Sequence, residues 1–574
     1  MASPAEPQVT VPEGYSLHTE NTAHILIASK EEAFLNPVQE FNRDLSIACI
    51  RTWSERLDKE KEEVWRRAQE KRARKGETKK ARIDAAGTPE HGENEQLQTG
   101  PSLPQEASPR EAGIALRLHY RPYRFTLLEA LSATGLRSIR YAKEIPLVKH
   151  VIANDLSETA TAAIRRNIQV NGIEEVAHSN GASATKPDPI PSSSPYGKIK
   201  INEGDACALM YNHRAEKSRV DVVDLDPYGT AAPFIDGAVQ CIEDGGLMCV
   251  TCTDLAVLAT TNYPEKCYSN YGGIPVKAEY CHEAALRLVL HSVSTAAGRY
   301  GRYIEPLLSL SIDFYVRLFI RIKSAPIEVK KASSKTAMYY VCVGCQTPYE
   351  QPLGRMIEQT STAGNTNYLF KTHSGPPTSS RCSECGSALH IAGPLWSGPI
   401  HETDFVKSVI EHVDQNPENY GTSTRMKGML TVASEELNDP FYFTPSRVSS
   451  FFHCVCPPLD DVASALLHAG HQVSRSHACA GSLKTSATRE DVHDVFRSWV
   501  KTHPVKMDKI SDQSPARRLL NKEPRAEANF TRHPDSMTRA SAVKLVRYQE
   551  NPTANWGPGS KAQKGVKRKR DENN

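Results

Sequence analysis

The sequence predicts an α/β protein with a doubly wound, mostly parallel sheet, followed by a smaller α+β domain. From Tyr123 to Asp254, short apolar runs alternate with stretches of helical periodicity, which is the pattern of repeated βαβ units. Small or acidic residues follow the apolar runs, at the strand ends where such sheets bind ligands. Beyond about Lys323 the alternation stops and paired cysteines appear, so a second domain is expected there.

The first domain is expected to span residues 15–325. Its strands are predicted at RFTLLEAL, HVIANDL, KIKINEGDA, DVVDLDPYG and GGLMCVTCTD, and its helices at GLRSIRYAKEI, SETATAAIRRNIQVNG and AAPFIDGAVQCI. Two stretches lack this pattern, residues 58–112 and 177–197, and because they are charged or rich in Pro, Gly and Ser they are expected to be insertions. Residues 326–510 are expected to form the second domain.

Composition excludes several broad classes of protein. With 574 residues, 39% of them hydrophobic, the chain is too long for a single core. A net charge of +3 excludes a histone-like polycation. Fourteen cysteines without an apolar leader predict a reducing compartment, and the lack of an apolar run of about 18 residues predicts that no segment spans a membrane. Residues 1–14 and the basic stretch 511–574 are expected to be disordered tails.

The ends of the first three predicted strands carry residues suited to a nucleoside-containing cofactor. Ser132 to Gly135 are small, which lets backbone approach a ligand closely. Asp155 ends the next strand twenty residues after Gly135, the interval at which such sheets place a carboxylate on a ribose diol. Asp205 and Ala206 end the third strand. Each feature alone could be a plain βα turn or a helix N-cap, and it is their succession that favours a cofactor site.

The segment VDVVDLDPYG places three aspartates, Asp221, Asp224 and Asp226, in or beside an apolar strand. Ionised carboxylates are seldom buried without a partner, so these residues indicate chemistry or a strand edge. An exocyclic base amine is a poor nucleophile, and acceptors that bind its N–H groups localise its lone pair. Asp226 and the carbonyl of Pro227 offer two such acceptors, and Tyr228 offers a ring on which a flipped base can stack. A tight turn built on Asp-Pro and Gly is the alternative.

The D-P-Y-G segment resembles the (D/N)-P-P-(Y/F) signature of amino-group methyltransferases that use S-adenosyl-L-methionine. It departs from that signature by Tyr228 in place of the second proline and by Gly229 in place of the aromatic residue. This variant, together with FLNPVQEFNRDLS and LSATGLRSIRYAKE, is similar to the tRNA guanine-26 N2-dimethyltransferases over residues 15–505. The resemblance implies a Rossmann-like class I methyltransferase domain, a family-specific C-terminal domain, and S-adenosyl-L-methionine-dependent dimethylation of guanine 26 in tRNA.

The resemblance also implies roles for individual residues. The cofactor-binding residues would be Arg43, Arg137, Asp155, Asp205 and Ala206. The catalytic residues would be Asp226, Pro227 and Tyr228, and residues 34–39 would line the guanine pocket. Without the resemblance, each of the two arginines could clamp the cofactor's carboxylate or could equally be a surface or phosphate-binding residue.

Two cysteine pairs form the strongest metal signal in the sequence. Two residues separate Cys342 from Cys345, and the same spacing recurs at Cys382 and Cys385, so that two knuckles can complete a tetrahedral thiolate site for structural Zn2+. Thirty-six residues lie between the pairs, and the polar stretch QPLGRMIEQTSTAGNTN among them is expected to loop out. Metal-free buried thiols and a redox pair are the alternatives, and His390 is a spare ligand.

The expected macromolecular partner is tRNA, bound by a monomer. Candidate contacts are RLHYRPYRF, the stretch from Arg66 to Arg82, and the segment that contains His477 and Lys484, although each could be a solvated face. The basic run Lys567–Arg570 is typical of a nuclear address or of an electrostatic arm, and the expected location is the nucleus, with the mitochondrion as an alternative. Two rival functions stay open, a methyltransferase acting on another base amine and a non-catalytic RNA-binding protein with a degenerate methyltransferase fold.

Overall fold

The fold is that of a computed structural model, which describes residues 10–28, 35, 36, 39–85, 119–175, 197–362, 364 and 366–537. The strands are β1 (Tyr15–Glu20), β2 (Ala23–Ala28), β3 (Phe125–Glu129), β4 (Val148–Asp155), β5 (Lys198–Glu203), β6 (Val220–Leu225), β7 (Ile242–Cys252), β8 (Arg302–Ile312), β9 (Tyr315–Ser324), β10 (Thr336–Cys342), β11 (Pro348–Pro352), β12 (Gly354–Thr360), β13 (Thr366–Thr372), β14 (Leu389–Trp396), β15 (Val473–Arg475) and β16 (Leu483–Thr485). The α-helices are α1 (Glu40–Ala85), α2 (Leu136–Glu144), α3 (Glu158–Val170), α4 (Ala206–Asn212), α5 (Ala232–Cys241), α6 (Leu255–Leu258), α7 (Pro264–Tyr271), α8 (Cys281–Gly298), α9 (Pro326–Lys331), α10 (Thr403–Gln415), α11 (Ser423–Glu435), α12 (Pro445–Phe452), α13 (Leu459–His468), α14 (Arg489–Thr502) and α15 (Pro515–Leu520).

The main sheet has seven strands in the order β5-β4-β3-β6-β7-β9-β8. The first five are parallel, and β9 runs antiparallel to its neighbours β7 and β8. This arrangement confirms the predicted doubly wound, mostly parallel sheet. The strand order reverses between β3 and β6, so the loops after these two strands border the crevice in which such sheets bind ligands. The register places Glu129 of β3 directly beside Asp224 of β6.

Alternate residues of the central strands face opposite sides of the sheet. Leu128 and Val223 join a core that contains residues of α4, α5 and α8. Their neighbours Leu127 and Val222 join a second core that contains residues of α1, α2 and α3. Burial on both sides explains why these strands read as nearly continuous apolar runs rather than as alternating patterns.

Helices α10 and α11 complete the second face of the main sheet, although residues 403–435 were expected in a separate C-terminal domain. Their residues Phe405, Val409 and Leu430 are buried in the same core as α1 and the central strands. The expected division of the chain at residue 326 therefore differs from the structure, in which the chain leaves the main sheet and then returns to it. The packing of α10 and α11 against the main sheet joins residues that are far apart in the sequence, and no local sequence pattern indicates it.

The C-terminal part contains the three-stranded sheet β11-β10-β14, whose residues Tyr339 and Leu395 join the first core, and the helices α12 to α15, which surround a third core. The stretch expected to loop out between the cysteine pairs forms the antiparallel hairpin β12–β13. Residues 511–537 were expected to be disordered, but here they include α15, and Arg525 forms ion pairs with Asp491 and Asp494. The remainder of that predicted tail lies outside the described residues.

Helix α1 runs for 46 residues. Its first part is buried, and Trp53 contacts the ring of Phe125 edge-on at 5.5 Å. From residue 58 to residue 75 none of its side chains is buried, so the helix continues into the predicted insertion 58–112. Residues 86–112, like 177–196 of the second insertion, lie outside the described part. Across the ranges that the structure describes, no helix is both long and apolar enough for a bilayer.

Candidate active site

The loops after β3, β4 and β6 surround one cavity of about 500 Å³. Small-ligand sites usually enclose about 300–1,000 Å³, so the cavity can take a ligand of nucleoside size. Six of the eight residues predicted for cofactor binding and catalysis line it: Arg43, Arg137, Asp155, Asp226, Pro227 and Tyr228. The cavity lies at the reversal of strand order, and the fold thus brings these six residues to one site.

The turn at residues 226–229 is fixed to the end of β7. The Gly229 N–H donates to Oγ1 of Thr253 at 2.8 Å, and the Thr253 N–H donates to the Gly229 carbonyl at 2.9 Å. Gly229 has a φ of 89°, a left-handed conformation that a residue with a Cβ adopts only with strain. Tyr228 projects from this turn with 82% of its surface exposed, which leaves its ring available for stacking.

Arg137, on α2, links the carboxylates of the site. Its Nη2 donates to Asp226 in a close ion pair, its Nη1 lies 3.5 Å from Oδ2 of Asp224, and its Nε lies 3.8 Å from Oε1 of Glu129. Burial would lower the pKa of Arg137, but the neighbouring acidic groups, Asp226 foremost, raise it well above its usual value. The guanidinium is therefore charged at any working pH, and it fixes the orientation of the Asp226 carboxylate.

Asp224 is fully buried and is paired with a second arginine. Nη1 of Arg317, on β9, lies 2.8 Å from Oδ1 of Asp224, and the Tyr141 hydroxyl donates to Oδ2 at 2.5 Å. Burial would raise the pKa of Asp224, but the charges of Arg317 and Arg137 hold it below its usual value. This carboxylate is thus an ionised part of the core, and it does not line the cavity.

Asp221, the second residue of β6, lies at the end of the strand away from the cavity. Its carboxylate accepts a hydrogen bond from the Tyr123 hydroxyl at 2.7 Å and from the Thr126 N–H at 2.9 Å. Of the three aspartates of VDVVDLD, Asp226 alone lines the cavity.

Glu129, at the end of β3, lines the cavity although it was not among the site residues predicted from the sequence. It is almost fully buried, and the Ser138 hydroxyl donates to its carboxyl group. Burial raises the pKa of Glu129 to about 8, against the opposing charge of Arg137. An acidic residue at the end of the run RFTLLE is the local signal that could have identified it.

Asp155 braces the loop that follows β3. Its carboxylate accepts from the Ala133 N–H at 2.9 Å and from the Ser157 N–H at 3.0 Å. Gly135 in the same loop has a φ of 78°, and a Cβ there would lie 3.1 Å from the side chain of Ile164. The small residues predicted to admit a ligand therefore also let this loop pack against α3.

Arg43, near the start of α1, is held by an acidic partner. Its Nε and Nη2 donate to the Glu20 carboxylate at 2.6 to 2.9 Å, and Nη1 of Arg140 contacts the same carboxylate at 2.6 Å. Nη1 of Arg43 lies 3.4 Å from the Asn36 carbonyl, and this edge of the guanidinium is the part that could meet a ligand carboxylate.

Asp205 and Ala206 are not among the residues that line the cavity. Asp205 is the N-cap of α4 and accepts from the Ala208 N–H at 2.7 Å. Its loop is nevertheless adjacent to the cavity, because the Gly204 N–H donates to the backbone carbonyl of Asp155 at 2.9 Å.

Part of the predicted guanine pocket is also present. Leu35, Asn36 and Gln39 line the cavity, whereas Phe34 and residues 37 and 38 of that segment lie outside the described residues. Phe314, half exposed, lines the cavity from the turn between β8 and β9. It has no local sequence signal, because an antiparallel hairpin brings it to the site from far along the chain.

Cys342, Cys345, Cys382 and Cys385 come together as the spacing predicted, and their Sγ atoms all lie within 4.8 Å of one another. The Sγ atoms of Cys342 and Cys385 are 3.3 Å apart, and those of Cys345 and Cys382 are 3.6 Å apart. A tetrahedral site with Zn–S bonds of about 2.3 Å has sulfurs at nearly these separations. His390 contacts the Lys277 N–H instead of this cluster.

His401, Glu436 and His477 form a second buried group of possible ligands. Nδ1 of His477 lies 2.6 Å from Glu436, and each histidine also uses one ring nitrogen to accept from a backbone N–H of β8. Lys484 lies 3.3 Å from Glu436 and neutralises it. Glu436 and His477 are thus paired without an ion, whereas Nε2 of His401 lies 3.6 Å from Glu436 and makes no hydrogen bond among the described residues. Since His477 and Lys484 are buried, they are not the surface RNA contacts that the sequence suggested.

Comparison with known proteins gives consistent matches over most of the chain. A family model described as N2,N2-dimethylguanosine tRNA methyltransferase matches residues 14–497. A Schizosaccharomyces pombe protein named tRNA (guanine(26)-N(2))-dimethyltransferase is 44% identical over 547 residues, covering 95% of this chain and 92% of that protein. The Saccharomyces cerevisiae protein named tRNA (guanine(26)-N(2))-dimethyltransferase, mitochondrial, is 38% identical over 574 residues, covering 96% and 93%.

A solved structure resembles the fold as well. Trm1 from Pyrococcus horikoshii, in complex with S-adenosyl-L-methionine, matches with 22% identity and a TM-score of 0.56, covering 83% of this chain and 98% of that chain. This likeness supports the doubly wound architecture.

Proposed function

This chain belongs to the N2,N2-dimethylguanosine tRNA methyltransferase family, and we propose that it transfers two methyl groups in succession from S-adenosyl-L-methionine to the exocyclic N2 of guanine 26 in tRNA. One observation carries the proposal, namely that the D-P-Y-G turn lines the same cavity as the loops after β3 and β4, two of the three strand ends expected to hold the cofactor. The substrate base and its position follow from the names of the relatives.

The lining of the cavity suits S-adenosyl-L-methionine. When bound, this cofactor supplies a methyl group activated by a sulfonium. Asp155, at a strand end, has the position from which a carboxylate accepts hydrogen bonds from a ribose diol. Arg43 and Arg137 offer guanidinium groups to a carboxylate. Asp205 and Ala206, at the adjoining strand end, are proposed as outer contacts of the same ligand.

The D-P-Y-G turn supplies the groups that act on guanine. The carboxylate of Asp226 and the carbonyl of Pro227 accept the two N–H bonds of the exocyclic amine, which localises the nitrogen lone pair for attack on the methyl carbon. As the N–C bond formed, the methyl–sulfur bond of the bound sulfonium would break and leave a neutral thioether, and the proton lost by the amine would pass to Asp226 and then to water. Tyr228 stacks on the extruded base.

A second methyl transfer requires room for the first methyl group. The turn itself does not crowd its surroundings, because a Cβ built on Gly229 would have no heavy atom within 4 Å, although Gly229 is not among the residues that line the cavity. We propose that this open space beside the turn takes the first methyl group.

The test is methylation of an unmodified tRNA transcript with isotope-labelled S-adenosyl-L-methionine, followed by mass spectrometry of the nucleosides. We expect N2-methylguanosine and then N2,N2-dimethylguanosine at position 26, and no product from a transcript with adenosine there. Asp226→Asn should lower kcat by about 100-fold or more while cofactor binding persists. Labelled adenosine or cytidine would assign the chain to another base amine, and a folded, cofactor-binding protein without any labelled nucleoside would refute the proposal.

We further propose that the four-cysteine cluster holds one structural Zn2+. The separations between the sulfur atoms support this, as do the second-sphere contacts, in which the Gly344 and Cys345 N–H groups donate to Sγ of Cys342 at 3.3 and 3.4 Å. Zinc would then supply folding free energy to the third core, which contains all four cysteines.

For the location of the protein we propose the nucleus, on the basic run Lys567–Arg570. The name of the Saccharomyces cerevisiae relative says mitochondrial of that protein, and a mitochondrial share is the alternative. Imaging of a fluorescent fusion with this run intact or replaced by alanines distinguishes the two locations, because the nuclear signal should fall when the basic charges are removed.

A further inference from the structure

We propose that Arg317 and Asp224 are positioning residues that aim the carboxylate of Asp226 by way of Arg137. The inference rests on the proposed function, because it concerns the carboxylate that acts on guanine. It assigns a part in the reaction to two residues that do not line the cavity.

A continuous chain of charges connects β9 to the cavity. Nη1 of Arg317 lies 2.8 Å from Oδ1 of Asp224. Oδ2 of the same carboxylate lies 3.5 Å from Nη1 of Arg137, whose Nη2 donates to Asp226. The signs alternate along the four groups, so each group fixes the next one electrostatically.

Hydrogen bonds to hydroxyl groups hold both arginines of this series of charges in place. Arg317 donates to Oγ1 of Thr251 at 2.9 Å and to Oγ of Ser46 at 2.8 Å, and Arg137 donates to the same Ser46 oxygen at 3.2 Å. The chain of charges is therefore tied to β7 and to α1. The Ser46 hydroxyl bridges the two guanidinium groups, which sets the distance between them.

The burial of these groups argues for a role beyond packing. Arg317 and Asp224 are both fully buried, in a sheet whose other central positions are mostly apolar. A buried ion pair costs desolvation free energy, and apolar residues of similar volume often replace such a pair without loss of stability. Here the pair provides what an apolar core would not, a fixed negative charge beside Arg137.

Without that charge, Arg137 would have a choice of partners. Its Nε also lies 3.8 Å from Glu129, which can take a proton or lose it, because burial raises the pKa of Glu129 to about 8. Asp224 instead stays ionised beside Arg317, which holds its pKa below the usual value. The position of Arg137 between Asp224 and Asp226 therefore does not depend on the protonation of Glu129.

The experiment compares variants of the full chain in the tRNA methylation assay. The paired variant Asp224→Asn with Arg317→Met removes both charges together, so no unpaired charge stays in the core. Arg317→Lys keeps the charge, but a lysine has fewer donors to reach Thr251 and Ser46. The matched control is Arg287→Met, because Arg287 is equally buried and ion-paired to Glu283 at 2.8 Å, but lies on α8 away from the cavity.

The measured quantities are kcat, KM for tRNA, the Kd for S-adenosyl-L-methionine by calorimetry, and the melting temperature. For the paired variant we expect kcat at saturating cofactor to fall by about 100-fold, the loss typical of a misplacement of about 1 Å, with KM for tRNA within about threefold of wild type. The Kd for S-adenosyl-L-methionine should rise as well, because Arg137 is also proposed to bind the carboxylate of the cofactor. Arg317→Lys should recover at least about tenfold of that loss. Arg287→Met should lower the melting temperature and leave kcat within about threefold of wild type.

Two results would overturn the inference. One is a folded paired variant whose kcat stays within about threefold of wild type, and the other is an equal loss of kcat in Arg287→Met, which would show a general effect of removing buried charge. Failure of the proposed function looks different, because then the wild-type protein itself would yield no N2-methylated guanosine.

Discussion

Replacing Glu20 by glutamine tests the electrostatic frame that holds Arg43 at the cavity. Glu20 ends β1, and its carboxylate is 2% exposed. It accepts hydrogen bonds from Arg43 at 2.6 to 2.9 Å and from Arg140 at 2.6 Å. Glutamine has the same shape but no charge, and it keeps only one acceptor oxygen for two buried arginines.

The loss of stability in Glu20→Gln depends on which ion-pair partners Arg140 and Arg43 keep. Arg140 keeps Asp44 at 2.8 Å and Glu144 at 3.0 Å, so its charge stays compensated. Arg43, 7% exposed, keeps long hydrogen bonds of 3.4 Å to the Asn36 carbonyl, which carries no charge. Breaking a buried pair by removing one partner costs about 3–5 kcal/mol, and we expect about 3 kcal/mol because the amide oxygen still accepts one bond. For a folded unit of about 300–500 residues, each kcal/mol lowers the melting temperature by about 1–1.6 °C, so the melting temperature should fall by about 3–5 °C.

The effect should also depend on pH with a defined sign. Burial would raise the pKa of Glu20, but the nearby His18, whose Nε2 lies 3.7 Å away, the hydrogen bonds from Arg43 and the charges of Arg43 and Arg140 hold the pKa well below the usual 4.5. A depressed pKa contributes stability that is complete above pH 4.5 and is lost as the pH falls below it. The difference between wild type and Glu20→Gln should therefore be constant near neutral pH and narrow below about pH 4.5.

Thermal unfolding of both proteins from about pH 4 to about pH 8 measures this difference. Glu55→Gln is the control, because Glu55 is 46% exposed and its pair with Arg51 at 3.2 Å lies on the same helix as Arg43. That surface pair should be worth less than about 1 kcal/mol. A drop of less than about 2 °C for Glu20→Gln at neutral pH, or a difference that widens in acid, would refute the reasoning.

Zinc binding, the titration of Glu129 and the ring of Tyr228 can each be tested directly. Metal analysis of the purified protein should find about one zinc per chain, lost in Cys342→Ser together with cooperative unfolding of the C-terminal core; a folded, metal-free wild type would contradict this. Because the pKa of Glu129 is raised to about 8, its contribution to stability is greatest below pH 4.5 and is lost as the pH rises through 8. Between about pH 5 and about pH 9, the melting temperature of Glu129→Gln should therefore rise relative to that of the wild-type protein. Parallel curves for the two proteins would show that Glu129 does not titrate in this range. Tyr228→Ala should leave the melting temperature within about 1 °C of wild type, because the ring is 82% exposed, but should raise KM for tRNA about tenfold; an unchanged KM would exclude stacking on the substrate.

The main sheet could be predicted from the sequence because each strand and the helix that follows it are indicated by a local pattern of residues. Apolar runs such as HVIAND and DVVDLD are followed at once by helical periodicity, and each run became a strand buried on both faces. The return of α10 and α11 to this sheet could not be predicted. Their amphipathic pattern specifies one apolar face, but it does not specify which distant core receives that face.

The same limit applies to the site. Asp155 and Asp226 are strand-end residues, so topology alone predicts that they lie near each other at the crevice. Phe314 reaches the cavity from an antiparallel hairpin, and Glu20 reaches Arg43 from an N-terminal strand outside the main sheet. Neither residue lies at the end of a parallel strand, so the expectation that ligands bind at the carboxyl ends of parallel strands could not identify either of them.

The three aspartates in β6 and just after it show why a charged residue in an apolar run needs its tertiary partner before it can be interpreted. In the sequence, Asp221, Asp224 and Asp226 differ only in their distance from the end of the strand. Asp224 would be untenable in the core without Arg317, which lies far along the chain on an antiparallel strand. The sequence can show that a buried carboxylate requires a cation, but only the fold shows that this cation belongs to the chain of charges that ends at Asp226.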